Sequence, residues 1–545
     1  MKGKDVTIAD VVDAFMRRGF QYIDKSTDGW FRLHGRLAPA ATTASYACEI
    51  MLDPQFSELP LIRLLETPAT LPPVTPHLGS DGHLCYIAKG TVVIDIFDPI
   101  GQFLACLERA EFVLGEILTG KFVEDLEEEF YAYWGGGFCL VDVQSKNLGK
   151  QRSMVAKIND SLTAVVTDDA ARTSQKLKSF GYDVSEKTYP TYRVRTAARP
   201  RPSTEQWPPN TVKDILAWQS YLDPRCRRKI EQRIQEGYSS RAGGALVLVE
   251  SPTMTYGFIV LFERNATKKT KGTLADRNRR IYGLKVVPMT VVRIDDRYIT
   301  ERNIPGSKTL AAKKIAVVGC GTIGGYLAEM LVKAGAGTCD GQLTLLDPDT
   351  LYPQNVGRHR LGFPSLFSNK AAAMANELVR LAPGVNIRPL PVDVKEAHLG
   401  EIDLLIDATG EEGLGHWLCK HYLSSVPMIS VWIEGPGSAV RALLRANSAG
   451  ACYRCLWQSN RKGKLCALVG STPIVLAGHG CEGLYVPFPA SVSVQAAGLG
   501  AEMVLDWANE ILSPALRTKL IDTTRQLATP DCDPPKSTEC PACSS

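Results

Sequence analysis

The segment Ile315-Ala316-Val317-Val318-Gly319-Cys320-Gly321-Thr322-Ile323-Gly324-Gly325 constrains the fold of this chain more than any other. A short apolar run leads straight into GxGxxG and then into an apolar helical stretch. In such a strand-to-helix turn the first glycine makes the tight bend and the second lets backbone approach a phosphate. The third lets helix and strand pack closely. The phosphate then rests at the positive end of the helix. Short apolar strands are predicted at 314–319, 343–347, 386–390, 404–408 and 428–432, with helical stretches between several of them. That alternation predicts a parallel, doubly wound, Rossmann-like α/β sheet.

The second strand ends in Asp347-Pro348-Asp349, where carboxylates can accept from ribose hydroxyls. Asn355, Arg358 and, at the start of the next helix, Lys370 follow. A hydride-transfer site has little use for an asparagine and two cations beyond the ribose. An ATP site whose chemistry is attack on the α-phosphate needs them, to neutralise developing charge and pyrophosphate. The nucleotide is therefore read as ATP.

The 545 residues suggest three domains, or four. The charge balance, 62 − 58 = +4, is too even to indicate nucleic-acid binding. No apolar run approaches the ~18–20 residues of a membrane span, and the N-terminus lacks a signal-peptide core, so a cytoplasmic protein is expected. Residues 1–135 read as a compact α+β domain: a helix over 5–23 with Val11, Val12, Phe15, Phe20 and Ile23 on its apolar face, strands at 29–37, 44–51 and 60–65, a proline-rich stretch 67–76, and a helix over 99–118. Residues 136–305 form a mixed α/β middle domain with a hairpin at 244–250 and 256–262, and a basic run 268–280 read as a solvated loop. Residues 306–545 hold the nucleotide motif.

Fifteen cysteines without an export signal point to metal ligands, nucleophiles or core thiols rather than disulfides. Cys452-Tyr-Arg-Cys455 and Cys540-Pro-Ala-Cys543 can each present two thiolates to one Zn²⁺, a closed structural site that would fold the tail back. A redox role is disfavoured because neither pair is expected to open a helix after a strand. Cys481, in the glycine-rich stretch Gly478-His-Gly-Cys481-Glu-Gly483 ahead of a helix over 491–507, is the preferred nucleophile, with Cys466 the alternative.

This order of elements resembles the ubiquitin-activating family, which includes the bacterial ThiF and MoeB adenylyltransferases, over roughly residues 310–545. The resemblance implies that Gly319, Gly321, Gly324, Asp347 and Asp349 hold ATP, with Asn355, Arg358 and Lys370 around its phosphates. Cys452, Cys455, Cys540 and Cys543 would bind zinc, and Cys481 would form a thioester. The family's D-x-T-D is here Asp407-Ala-Thr-Gly410-Glu411-Glu412, which leaves Asp407, Glu411 and Glu412 open as the Mg²⁺ carboxylate. The family also sends an arginine into the partner protomer's site; Arg297 and Arg302 are the candidates, and a homodimer is implied.

The segment from Pro76-His77 to Cys85, eight residues past the histidine, resembles the ubiquitin-conjugating fold, whose His-Pro-Asn, turn and acceptor cysteine precede a helix. Here Pro-Asn has become Leu78-Gly79, so another donor, a backbone amide or a histidine side chain, must serve the oxyanion. A fused conjugating–activating chain resembles the bacterial enzymes of cyclic-oligonucleotide antiphage defence (CBASS). That resemblance implies adenylation of the C-terminal glycine of a cGAS-like nucleotidyltransferase, a relay from Cys481 to Cys85, and capture by a lysine-bearing target. The middle domain would tether the two modules. No direct nucleic-acid contact and no membrane are expected. Rival readings are a sulfur-carrier adenylyltransferase in which Cys85 is structural, a nucleotide-binding scaffold without conjugating activity and, more distantly, a dehydrogenase.

Overall fold

The computed structural model describes residues 6–543 except 89, 186–187, 204–206, 241, 263–273, 471–474 and 478–484. The chain divides into two compact units. One holds residues 1–139, 147–153 and 188–291; the other holds 140–146, 154–187 and 292–545, so the middle region contributes to both.

The first unit begins with the helix Ile8–Arg17, capped by a reciprocal Thr7–Asp10 box. The helix was expected to reach residue 23. It stops at Arg17 because Gly19 adopts φ +89° and its amide returns to the Met16 carbonyl, an ordinary glycine stop. Phe20 still reaches the core, edge-on to Phe15, but Ile23 lies in the strand Gln21–Lys25 and is largely exposed. That strand opens a four-stranded antiparallel meander, continued by Phe31–Leu37, Tyr46–Leu52 and Leu61–Leu64. The helix Pro99–Leu118, capped by Asp98, sends Phe103, Leu107, Ala110 and Leu114 into the core shared with Leu33, Ile50 and Ile62.

Also in this unit, Gly244–Glu250 and Thr255–Leu261 pair antiparallel from Gly244↔Leu261 to Glu250↔Thr255, the expected hairpin. The helices Val212–Leu222 and Pro224–Ser239 contribute Ile215, Ile230 and Ile234 to the core that includes these strands. Of the basic run 268–280, residues 268–273 lie outside the described ones. The remainder is helical, within Leu274–Tyr282, rather than loop.

The second unit is built on a seven-stranded sheet in the order Ile387–Leu390, Gln342–Leu346, Lys314–Val318, Leu404–Asp407, Met428–Glu434, Ala439–Arg445 and Leu516–Leu520. The first five strands are parallel, as expected; the last two, which the strand reading did not include, add antiparallel. Helices Thr322–Lys333 and Ala490–Ala508 place Leu327, Leu331, Ala497 and Met503 in the largest core. The same unit buries an ionic group in which Lys176 bonds both Asp142 and Asp296, at 3.0 and 2.7 Å. No helix among the described residues is long and apolar enough to cross a membrane.

Phe103 is fully buried and meets Phe56 edge-on. Phe103→Ala is expected to cost about 3–5 kcal/mol. Denaturant melts followed by hydrogen exchange will show whether the loss is confined to the first unit.

Candidate functional sites

Backbone contacts explain the glycine pattern of the second unit. Gly319 has φ +88°, and a side chain on Gly324 would place its Cβ 1.8 Å from the Gly319 carbonyl oxygen. Gly321 differs: a Cβ there would meet nothing within 4 Å. No protein neighbour demands a glycine there, and the space is open to a ligand. The turn is pinned from two sides. Asp347 accepts from the Cys320 amide at 2.8 Å and from the Asp349 amide at 2.8 Å. Buried His359 receives the Leu361 amide on Nδ1 at 3.0 Å, so its Nε2–H donates to the Cys320 carbonyl at 2.8 Å. Burial lowers the His359 pKa to about 4, which keeps the imidazole neutral. The sequence reading had no role for His359; only its position beside Arg358 hinted at one.

A cavity of about 710 Å³ opens over this turn. Gly319, Gly321, Asp347, Asp349, Lys370 and Glu411 line it. Lys370 Nζ lies 2.8 Å from Asp349 Oδ2, a pair that sets a cation and an acceptor side by side. Asn355 and Arg358 do not line the cavity. The Asn355 side chain accepts from the Tyr352 amide at 3.0 Å. Arg358 donates to the Val486 carbonyl at 2.8 Å and lies over the Tyr485 and Phe488 rings, at 5.0 and 4.6 Å. Val486 and Phe488 themselves line the cavity, a contribution the sequence did not suggest.

The three carboxylates left open for a cation also separate. Glu411 faces the cavity, while Glu412 accepts from Trp457 Nε1 at 3.1 Å. Asp407 is buried and accepts from the Thr409 amide and hydroxyl at 3.1 and 2.7 Å; burial pushes its pKa up to about 6. Cys481 lies outside the described residues; on either side of it, Ala477 and Tyr485 exchange two backbone hydrogen bonds of 2.9 Å. Cys466 is half-buried, with its thiol 3.8 Å from the Asn460 carbonyl. Arg297 lies 3.8 Å from Glu301 in the helix Asp296–Glu301, and Arg302 caps that helix.

Cys452, Cys455, Cys540 and Cys543 converge although 85 residues separate the pairs. Their sulfurs lie 3.8 Å (Cys452–Cys455), 3.7 Å (Cys452–Cys540), 3.6 Å (Cys455–Cys543) and 3.4 Å (Cys452–Cys543) apart. Four thiolates at ~2.3 Å from a tetrahedral Zn²⁺ would be about 3.8 Å apart, so the donor set fits that ion. The Ser537 amide donates to Cys455 Sγ at 3.4 Å, an outer contact of the kind that orients a ligand. One expectation fails: Cys452 is the N-cap of the helix Tyr453–Arg461, so the first pair does open a helix. What favours a metal over redox exchange is the meeting of four sulfurs.

In the first unit, Cys85 is exposed at the rim of a cavity of about 580 Å³ that His77, Arg109, Phe122 and Glu129 also line. His77 takes φ +60°, and its carbonyl accepts the Cys85 amide at 2.8 Å. Its ring lies edge-on to Phe122 and is held from both ends: Nε2 is 2.9 Å from Asp125 and Nδ1 is 2.8 Å from Glu129. Glu129 first, then Asp125, raises the His77 pKa to about 9. The histidine is thus a doubly bonded cation, not a free base and not a free oxyanion donor. Burial and the Glu129 charge push the Cys85 thiol up. The acidic run Glu124–Glu129 places Asp125 and Glu129 four residues apart, the signal that could have revealed this clamp.

The clamp sets a pH window. The raised His77 pKa gives stability that is full below its ordinary 6.5 and lost as pH rises through about 9. The lowered Glu129 pKa gives stability that is full above its ordinary 4.5 and lost as pH falls through the lowered value. The melting-temperature gap between wild type and His77→Ala should therefore be largest between about 4.5 and 6.5 and should close toward pH 10; thermal melts across that range will check it.

Residues 297–542 match the model of the ThiF family and residues 34–136 that of prokaryotic E2 family B. The ATP-dependent ubiquitin transferase-like protein Cap2 of Pseudomonas aeruginosa is 64% identical, over 99% of this chain and 99% of its own length. Proteins of the same name from Escherichia coli and Vibrio cholerae are 26% and 24% identical, over 91% and 87% of this chain and 90% and 87% of theirs. Among solved structures, E. coli MccB with ATP is 19% identical over 43% of this chain and 67% of that one, with a TM-score of 0.34, too distant a likeness to carry weight. Near-complete coverage at 64% identity makes this chain a member of the Cap2 family of ATP-dependent ubiquitin transferase-like proteins.

Proposed function

We propose that the chain adenylates the C-terminal carboxylate of a protein and passes the acyl group by thioester exchange from Cys481 to Cys85, then to a lysine amine. The observation that carries this reading is the cavity over the glycine turn. Open backbone space at Gly321 there faces Lys370, Asp349 and Glu411. ATP suits it: the helix Thr322–Lys333 would offer N-terminal amides to phosphate, and Asp347 and Asp349, which line the cavity, would accept from the ribose. Bound ATP supplies the phosphoanhydride that activates the carboxylate. Lys370 then offsets charge developing on the phosphates. Of the three carboxylates, Glu411 is the Mg²⁺ ligand we favour, because it alone of them lines the cavity.

Each thioester keeps most of the adenylate's activation while dividing one hard acyl transfer into easier ones. Asp125, Glu128 and Glu129 beside Cys85 suit an incoming ammonium group. The module boundaries we propose are 1–135 for conjugation, 136–305 as a linking region and 306–545 for activation. The substrate carboxylate is a terminal glycine, with a cGAS-like nucleotidyltransferase of antiphage defence as its source, and the enzyme acts in the cytoplasm as a homodimer. Zn²⁺ on the four cysteines would tie the C-terminal tail to the helix Tyr453–Arg461.

Two measurements test these assignments. ATP–pyrophosphate exchange supported by the candidate protein terminus should fall about 10²–10³-fold in Lys370→Ala, the scale for losing one transition-state donor; exchange at the wild-type rate contradicts the site. Metal analysis should find one zinc per chain, lost in Cys540→Ser together with a lower melting temperature. Full stability without zinc would refute the structural ion.

A further inference from the structure

The thioester pocket poses a chemical problem. Attack of an amine on a thioester passes through a tetrahedral oxyanion, and Leu78-Gly79 leaves no asparagine beside His77 to receive it. Several of the other nearby donors are taken. The Cys85 amide donates to His77 at 2.8 Å and the Tyr86 amide to Leu84 at 3.1 Å. Both His77 nitrogens serve carboxylates, and the Thr91 hydroxyl donates to the Ala88 carbonyl at 2.7 Å. The Tyr133 hydroxyl donates to Thr75 at 2.7 Å and does not line the cavity. Asp125, Glu128 and Glu129, which do line it, would repel an oxyanion.

Among the described residues lining this cavity, one further cation remains. Arg109 rises from the helix Pro99–Leu118, and its guanidinium stands over the Phe112 ring at 5.0 Å. Its one hydrogen bond is long: Nε to the Tyr86 carbonyl at 3.4 Å, beside the peptide that follows Cys85. A guanidinium carries five N–H donors.

We propose that Arg109 is the catalytic residue that receives the oxyanion at Cys85, in place of the missing asparagine; this rests on the reading of Cys85 as the transfer cysteine. The amine nitrogen bonds to the carbonyl carbon, and the carbonyl electron pair moves to oxygen against the Arg109 guanidinium. Collapse breaks the C–S bond and returns Cys85 as a thiol. The ammonium proton supplies the thiol hydrogen by way of solvent, leaving an amide.

The full-length chain can be tested without its natural substrate. Exchange with a peptide-glycine thioester of mercaptoethanesulfonate loads Cys85, with Cys85→Ala as background, and discharge to hydroxylamine or free lysine is followed by intact mass. Arg109→Ala should slow discharge about 10²-fold, and Arg109→Lys should recover part of that loss. Alkylation of Cys85 by iodoacetamide, a displacement with no oxyanion, should keep its wild-type rate. Discharge from Arg109→Ala at the wild-type rate, or alkylation falling in parallel, overturns the role of Arg109. So does a loss seen instead in Lys89→Ala, a residue outside the described ones. If wild type loads no more than Cys85→Ala, the Cys85 reading itself fails, and the role of Arg109 with it.

Discussion

The approach of Gly324 to the Gly319 carbonyl is the constraint on which the activating half depends. A side chain at Gly324 would overlap that oxygen, so the helix Thr322–Lys333 can begin where it does only with a glycine as its third residue. The turn is also fixed by polar contacts: Asp347 holds the Cys320 amide and His359 holds the Cys320 carbonyl. Asp347 directly follows the strand Gln342–Leu346, and His359 follows the short helix Pro353–Val356, so the turn ties three chain segments together. Lys370 and Glu411 line the cavity over that pinned turn.

Charge is handled differently at the two sites. Around the glycine turn, a cation and a carboxylate meet at the cavity wall, and the buried His359 stays neutral. Around Cys85, a buried-edge histidine is kept charged by two carboxylates, and the thiol beside it is not activated at rest. The His77 clamp also holds the backbone carbonyl that receives the Cys85 amide. Burial and the Glu129 charge both disfavour the thiolate, the nucleophilic form of the side chain.

Much of this was legible in the residues. Apolar period and glycine spacing located the parallel strands, the nucleotide turn and Lys370 at its helix start, because local steric rules govern them. The two CxxC pairs announced a shared site because four thiols suit one ion. What sequence hid was long-range. Arg358 had the right charge for phosphate, yet it packs on Tyr485 and Phe488, more than a hundred residues away. The strands Ala439–Arg445 and Leu516–Leu520 add to the sheet edge from distant stretches. Ile23 followed the helical period but not the helix, because Gly19 ended it first. His77 was visible as a residue, but its charge state depends on Asp125 and Glu129, about fifty positions on.

The central claim is a relay of one acyl group between two cysteines of one chain. Intact-mass analysis after brief incubation with Mg-ATP and a protein bearing the candidate C-terminal glycine tests it directly. The account predicts a thiol-labile adduct on Cys85 in wild type, none on Cys85 in Cys481→Ala, and an adduct held on Cys481 in Cys85→Ala. An adduct on Cys85 that forms unchanged in Cys481→Ala would contradict the relay.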